Sequence, residues 1–595
     1  MPHYAPPLRD LQFVLHEVFG VAREFSTQPA YANVDTETID VVLGEAGKFA
    51  ASVLAPLNRL GDEEGCTLDP ETHEVTTPTG FKEAYQRYVE AGWPALSCDS
   101  AYGGQGLPIT LRLCVYEMLN SANQAFTMYP GLSIGAYECL TVHGTSEQRA
   151  LYLPKLAAGE WTATMCLTEA NCGTDLGMLR TQAVPYGDGY AITGSKIFIS
   201  SGEHDLATNI VHLVLARLPD SPPGSKGLSL FVAPKFLVNA DGSLGARNPI
   251  FCGALEHKMG IHGNSTCQLN FDGAAGWLIG EPHKGLAAMF VMMNNARLDV
   301  AVQSLGLTEV AYQNALAYAR ERIQMRSISG TKSPDQAADP IIVHADVRQK
   351  LLTARAYAEG GRALAIWTAL MIDKEHASPN ESVKRSAARQ VALLTPIAKA
   401  FLSDNAWIAT SDCMQVYGGH GYIRESGVEQ FVRDSRITMI YEGTNAIQAL
   451  DLLGRKVLAD DGAGLKAFGK QVEAFIEEAA AVEAMREFVG PLAELWQKVN
   501  TLTADLAIKG LQNRDEVGAA AVNYLRVCGH LVFAYLWARM AKVALAKLTS
   551  HDPFYRAKLV AARFYFAKLL PETSSLIQSA LSGAPSVMDD DAFIV

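Results

Sequence analysis

Hydrophobic periodicity changes twice along this chain, and those changes limit the folds open to it. Over residues 1–160 the apolar positions recur at helical spacing, as in Leu11, Val14, Leu15 and Val18. Asp35 or Thr36 can cap the run that continues through Val41, Val42 and Leu43. From Trp161 to about Gly280 the pattern favours short strands. Tyr190–Thr193 follows the turn signal Asp188-Gly189, Lys196–Ser200 alternates, and Ile210–Ala216 and Leu228–Val232 are mostly apolar. Helical spacing returns after Gly285, where Ala311, Leu316 and Ala319 predict a helix ending near Arg322. A Ser/Gly/Pro-rich loop, Ser327–Pro340, precedes a helix from His344 that carries Leu351, Leu352 and Ala356. A polar insert, Asp373–Ser386, separates two further helical runs, and an acidic linker, Asp460–Gly464, opens a last helical region. There Leu525, Cys528, Val532 and Tyr535 form a stripe that reads as core packing. The expected fold is α+β and multidomain: an N-terminal helical domain (1–160), a central small β-barrel (161–282), a helical bundle (283–458) and an additional C-terminal helical domain (465–595).

A chain of 595 residues is too long for one core. Its formal net charge of -13 argues against general nucleic-acid binding. The ten cysteines include no C-x-x-C pair; Cys166 and Cys172 are the nearest two. That spacing fits a reducing compartment and supports neither a disulfide framework nor a metal site. The opening MPHYAPPLRDL has no apolar signal core and no Arg/Ser-rich amphipathic stretch. No run approaches the roughly 20 apolar residues of a membrane span; the longest candidate, Leu531–Ala538, lies between Arg526 and Arg539. The expectation is a cytoplasmic protein without a transmembrane segment. The loop Ala101–Gly106 is glycine-rich but lacks the Lys-Ser/Thr and helix of a phosphate loop.

The stretch Arg436–Gln448, RITMIYEGTNAIQ, sets a carboxylate, Glu442, beside Ile440 and Tyr441. Poor solvation favours the neutral acid and suits such a group to act as a base near neutral pH. Gly443 permits a positive φ or a close approach to a flat ligand, and Thr444 and Asn445 add donors. By itself the stretch also fits a surface loop with one solvated Glu.

Three more segments accompany it: MCLTEANCGTD (Met165–Asp175), KIFISSG (Lys196–Gly202) and QVYGGHGY (Gln415–Tyr422). Together, in this order and spacing, the four resemble the acyl-CoA dehydrogenase flavoproteins. The resemblance implies FAD held between the small β domain and the helical bundle. It places Met165, Leu167 and Thr168 along the isoalloxazine ring, and Gly173 and Thr174 near the pyrophosphate. Phe198 and Ser200 fall on the segment that packs on the other side of the ring, with Ser200 near flavin N5. Members of the family often carry Trp and Thr at those two places. Arg322 matches the pyrophosphate-binding arginine, Gln324 an adenosine-side contact and His344 another FAD-side position. Gln415, Gly418 and Gly419 match residues that receive the adenine half of FAD from a neighbouring subunit, which implies a homo-oligomer, with a dimer favoured. Gly443, Thr444 and Asn445 turn the chain past the flavin. Read without the resemblance, Phe198 is a core aromatic, Arg322 a solvated helix charge and His344 a helix cap.

The implied reaction is α,β-dehydrogenation of an acyl-CoA thioester to the trans-2-enoyl-CoA. Glu442 is the base for the α proton, flavin N5 takes the β hydride, and an electron-transfer flavoprotein is the expected acceptor. Arg297 matches an arginine near the CoA-binding helix and is assigned to substrate. The region after residue 460 and the opening Pro6-Pro7-Leu8-Arg9-Asp10 resemble a longer bacterial branch, which includes enzymes acting on 3-methylmercaptopropionyl-CoA and on fatty acyl-CoA. Two alternatives share the scaffold. One is an acyl-CoA oxidase using O2, against which the ending Phe593-Ile594-Val595 speaks because it is not a peroxisomal signal. The other is a DNA-associated flavoprotein, against which speaks the balance of charges after residue 460.

Overall fold

The computed structural model describes residues 2–239 and 241–594. They form two compact units. One comprises Lys48–Pro108 and Ala122–Asp299; the other comprises the chain up to Gly47, Ile109–Ser121 and the chain from Val300 onward. The helix–strand–helix order expected from periodicity is the order found. The helical run α1 (Ile109–His143) is broken at Asn123, where φ is −161° and ψ is 93°.

Seven strands make the sheet of the first unit: β1 (Trp161–Cys166), β2 (Gln182–Tyr186), β3 (Gly189–Ser200), β4 (Asn209–Arg217), β5 (Leu228–Pro234), β6 (Ile250–Leu255) and β7 (Thr266–Ile279). The pairing runs β6-β7-β3-β2-β4-β1, and β5 pairs with both β7 and β4. The ring β7-β3-β2-β4-β5 is thereby closed, which is the small barrel expected. Tyr190–Thr193 and Lys196–Ser200, read from the sequence as separate runs, belong to the single strand β3. The apolar run of β4 is explained by burial on both faces: Val211, Leu213 and Leu215 enter one core cluster, and Val214 and Ala216 enter another.

The second unit is helical. Asp35, rather than Thr36, accepts the first-turn bond, from the Thr38 amide at 2.8 Å. Long helices follow: α2 (Gly285–Glu321, entering this unit at Val300), α3 (Ala345–Ala377), α4 (Glu381–Val416), a short α5 (Asn445–Leu450), and, after the linker, α6 (Asp515–Ala546) and α7 (Pro553–Phe564). The polar insert expected at Asp373–Ser386 shrinks to the turn between α3 and α4. Asp373 is fully buried and accepts bonds from the amides of Ile109 and Thr110 and from the Thr110 hydroxyl; that long-range use of a polar residue keeps it inside the helix. The α6 stripe is core, as read. Gly529 of α6 lies against Phe401 of α4, where a Cβ would come within 2.3 Å of the ring, and Gly360 of α3 lies as closely, at 2.6 Å, on Phe533. Side chains at these glycines would force the helices apart, which outweighs the cost of a helical glycine. Among the described residues α6 is also the one helix long and apolar enough to cross a membrane, which the sequence reading did not expect; 67% of its apolar window is buried in the bundle.

A buried ionic cluster joins the segments of this unit. The Arg362 guanidinium meets Glu117 (Nε–Oε1 2.9 Å), Glu309 (2.8 Å) and Asp10. Lys558 of α7 meets the same Asp10 and lies 2.8 Å from Glu359. Burial opposes ionisation here, pushing Glu117 up to about 7, whereas Lys558 and Arg362 hold the Asp10 carboxyl below its usual range despite burial. Removing one partner of such a cluster leaves charge buried without compensation. Lys558→Met is therefore expected to destabilise this unit by about 3–5 kcal/mol, read as a lower urea midpoint of the far-UV signal.

In the barrel unit His204 and His212 are fully buried; their rings contact Thr162 and Thr164 hydroxyls at 2.9 and 2.7 Å. Burial, with Lys235 next, depresses both to about 3. Their folded pKa lies below the unfolded value, so their contribution is complete above about pH 6.5 and is lost as pH falls towards 3. Each should cost about 2 kcal/mol at pH 5. Thermal unfolding should shift down steeply between pH 7 and 5, and His212→Gln should flatten that dependence.

Candidate functional site

In the barrel unit the sequence motif folds around a clamp. Met165 ends half-buried on β1, Leu167 is buried and Thr168 is half-exposed. The Lys196 ammonium donates to the Leu167 carbonyl (3.1 Å) and to Glu169 (2.9 Å), so it grips both sides of Thr168. Glu169 also accepts from the Thr181 hydroxyl (2.6 Å) and from the amides of Arg180 and Thr181. Burial works against its charge, but Lys196 and these donors hold the Glu169 carboxyl below its ordinary range. Glu169 and Lys196 stand inside the quoted motifs yet were given no role from the sequence; the signal was an ammonium within a strand, while Glu169 lies in a polar turn after β1. Reciprocal backbone bonds between Glu169 and Cys172 close a turn that leaves Gly173 and Thr174 exposed.

Phe198 is not the core aromatic its strand position suggests. It is 59% exposed and sits at φ +59°. The β3–β7 register shifts here, Cys267 opposing Ile199 and Leu269 opposing Lys196. The extra residue makes a bulge that aims a side chain outward, and the Ile197 amide leaves the ladder to donate to the Thr168 carbonyl at 2.9 Å. The bulge thus ties the Thr168 segment to the Phe198–Ser200 segment. Ser200 is half-buried. Arg297, also in this unit, is 7% exposed on α2; its guanidinium donates to Asn294 (3.2 Å) and lies over Phe290.

In the helical unit six predicted residues converge. Arg322, Gln324, His344, Gln415, Gly418 and Gly419 line one cleft of about 640 Å³. Arg322 is exposed at the end of α2, and the strand-like return Ile341 N–H to Arg322 carbonyl (2.8 Å) and Gln324 N–H to Asp339 carbonyl (2.9 Å) fixes its loop. His344 occupies the N-cap position of α3 without a side-chain capping bond; its Nε2 lies 2.9 Å from the Gln324 carbonyl. Tyr318 stacks on Tyr417 at 4.1 Å beside these residues, a pair the sequence did not single out. Gly418 has φ +60° and ψ −140°, a region open to glycine. A guanidinium, amide donors and side-chain-free backbone suit a phosphate-bearing, planar ligand.

The Glu442 segment is a separate turn of the same unit. Glu442 is half-buried at φ +58° and Gly443 follows at φ +82°. The Gln448 amide donates to the Glu442 and Gly443 carbonyls at 3.2 and 3.4 Å. At φ +82° any side chain at residue 443 would be strained, and its Cβ would also lie 2.6 Å from that amide nitrogen, so the position favours glycine. Thr444 stands at the start of α5 without a side-chain cap. Asn445 differs from its expected role as a flavin contact: its side chain points into α4, bonding Ala400, Ser403 and Asp404.

Comparison with known proteins follows the same divisions. Family models match at 36–160 (acyl-CoA dehydrogenase, N-terminal domain), 164–274 (middle domain), 283–458 (C-terminal domain) and 468–591 (acetyl-CoA dehydrogenase C-terminal like). The chain is 41% identical to a 3-methylmercaptopropionyl-CoA dehydrogenase of Ruegeria pomeroyi, over 96% of this chain and 97% of that one. It is 35% identical, over the whole of both chains, to the broad-specificity linear acyl-CoA dehydrogenase FadE5 of Mycobacterium tuberculosis. Its fold is similar to Caenorhabditis elegans ACDH-11 in complex with C11-CoA (TM-score 0.76, 21% identity, 95% and 91% of the two chains). It is also similar to an acyl-CoA dehydrogenase from Bacillus anthracis complexed with FAD (TM-score 0.74, 21% identity, 96% and 91%).

If the cleft holds the cofactor's phosphates through Arg322, Arg322→Ala should weaken FAD binding about tenfold, the worth of one charged hydrogen bond. Flavin absorbance retained after gel filtration measures it.

Proposed function

Because the chain belongs to the acyl-CoA dehydrogenase family of FAD-dependent oxidoreductases, we propose that it oxidises an acyl-CoA thioester to the trans-2-enoyl-CoA with Glu442 as base. The observation that carries the reading is the Glu442 turn: a half-buried carboxylate held at φ +58° and followed by a glycine at φ +82°. A bulky residue keeps such a conformation only where its surroundings enforce it.

In this reading Glu442 takes the α proton. Its own main-chain N–H supports the thioester carbonyl as charge develops there. FAD, when bound, supplies the hydride acceptor at N5 and a ribityl hydroxyl for the same carbonyl. Thr168, Met165 and Leu167 line one side of the ring site, and the bulge presents Phe198 and Ser200 on the other. Gly173, Thr174, Arg322, Gln324 and His344 serve the phosphates and adenosine, and Arg297 serves the CoA side. Gln415, Gly418 and Gly419 serve the adenine half of a partner's flavin, so a homodimer completes the site; the cleft they share with Arg322 opens beside the exposed apolar Met325 and Ile423, which suits coverage by a second copy. The named relatives are dehydrogenases, which favours an electron-transfer flavoprotein over oxygen as acceptor. All ten cysteines are free thiols, nine of them buried, which suits the reducing cytoplasm.

Glu442→Gln should keep its flavin spectrum while kcat on acyl-CoA falls by about 10²–10⁴-fold, the usual worth of a general base. Bleaching of the flavin by a panel of linear, branched and thioether-bearing acyl-CoAs measures it. Near-normal turnover in the variant removes Glu442 from the role.

A further inference from the structure

A second cavity lies within the helical unit and shares no residue with the Arg322 cleft. Its volume is about 310 Å³, at the lower end of the size range of small-molecule sites. Trp367, Leu370 and Met371 of α3 line it, with Ala387 and Gln390 of α4. The N-terminal segment adds a second aromatic ring, Phe19. The C-terminal extension contributes Arg539 on α6 and Gln471 on the helix Ala463–Ala479. The cavity therefore sits where the extension meets the bundle.

Its walls are apolar, but several of its polar groups are uncommitted. The Arg539 guanidinium donates to the Val18 carbonyl at 3.2 Å, bonds the Tyr535 side chain and lies 4.8 Å over the Phe19 ring. Those partners are neutral, and among the described residues no carboxylate pairs with Arg539. Two carboxylates of the region, Glu24 at the cavity and Glu478 near Tyr535, are each held at 2.5 Å by a lysine, Lys374 and Lys542. With Glu24 balanced by Lys374, the cavity keeps the positive charge of Arg539. Gln390 is only 8% exposed, and its Oε1 is buried without a hydrogen-bond partner. A half-turn about the last side-chain bond exchanges that oxygen for the Nε2 donors. Among the described residues neither the Gln471 amide nor the Trp367 indole N–H makes a hydrogen bond. Donors thus predominate around an apolar cavity of one net positive charge.

We propose that this cavity binds a small monocarboxylate with an apolar tail: the carboxylate meets the Arg539 guanidinium and the Gln390 amide, and the tail lies against Trp367, Leu370 and Met371. A guanidinium matches a carboxylate through two parallel N–H donors. A single such cation is balanced by a single negative charge, which favours a monocarboxylate over a dicarboxylate or a diphosphate. A thioester lacks the carboxylate, so the site tells a free acid from its CoA ester. The inference goes beyond the proposed reaction and does not depend on it.

The test uses full-length holoenzyme and titration calorimetry with hexanoate, hexanol and hexylamine, which share a tail and differ in the head. Hexanoate is expected to bind at one site per chain, roughly tenfold or more tighter than the other two. Arg539→Gln should weaken hexanoate by about tenfold, the worth of a charged hydrogen bond, and leave hexanol unmoved. Gln390→Met removes no side-chain bond made within the protein and should weaken hexanoate severalfold; if Arg539→Gln does not fold, Gln390→Met decides. The same titration on Glu442→Gln holoenzyme saturated with hexanoyl-CoA separates this cavity from an acyl channel. An unchanged hexanoate affinity there supports the site, and displacement of hexanoate by hexanoyl-CoA overturns it. No hexanoate binding to wild type overturns it too, as does equal binding of the three heads, or binding that ignores both substitutions. Each of these leaves Arg539 as a brace for Val18 and Phe19. A wild-type protein that oxidises no acyl-CoA removes the proposed function and leaves this site standing.

Discussion

A guanidinium sealed from water is the constraint around which the helical unit is built. Arg362 cannot lose its proton, so its burial is tolerable only with carboxylates in place. Those come from Asp10, Glu117 and Glu309, on three separate segments, and Lys558 closes the cluster from the far end of the chain through Asp10 and Glu359. The C-terminal extension is consequently no appendage. Its α6 packs Gly529 against Phe401 of α4 and Phe533 against Gly360 of α3. Helix α4 in turn bears Lys399, whose ammonium donates to the Gly443 carbonyl, and ends at the cleft residues Gln415 and Val416. The extension thus buttresses the helix that holds the Glu442 turn.

Backbone strain marks the chemistry more sharply than burial does. Among the described residues, the non-glycine positions at positive φ are mostly His, Asp or Ser, which tolerate it. Four do not belong to those types: Phe198, Ile261, Met325 and Glu442. Phe198 is the tip of the β3 bulge, Met325 lines the Arg322 cleft, and Glu442 is the proposed base. Three of the four therefore fall on segments where a ligand is expected, in keeping with strain kept for function and secured by its surroundings.

The motif residues were legible because each carries its chemistry in a few adjacent letters: Glu442-Gly443, Gly418-Gly419, and the run around Thr168. The barrel was legible from strand length and turn signals. Illegible were features that depend on partners distant in sequence. Asp373 looked like the start of a polar loop until Ile109 and Thr110 were found donating to it. Phe198 looked like core because no local pattern announces a bulge, which is set by its pairing with β7. Asn445 read as a donor for the flavin, although α4 uses up its side chain. Lys399, in the unremarkable run PIAKAFLSD, acquires meaning only when the fold brings Gly443 to it.

Helix α4 then imposes a geometric condition on the proposed function. Lys399 and Gln415 lie sixteen residues apart on this helix, about 24 Å along its axis at 1.5 Å per residue. One element therefore sets both the position of the base's turn and the position of the phosphate-suited cleft. On the resemblance, that cleft receives the adenine half of a neighbour's flavin, whereas the turn serves the chain's own. In the proposed reading, the middle of α4 and its C-terminal end serve two different active sites, and the rise of the helix between them sets their separation. In that proposal the second copy serves cofactor retention rather than chemistry at the Glu442 turn. Loss of the partner should first appear as lost flavin, with the Glu442 turn still held by Lys399, Asn445 and Gln448 from within its own subunit.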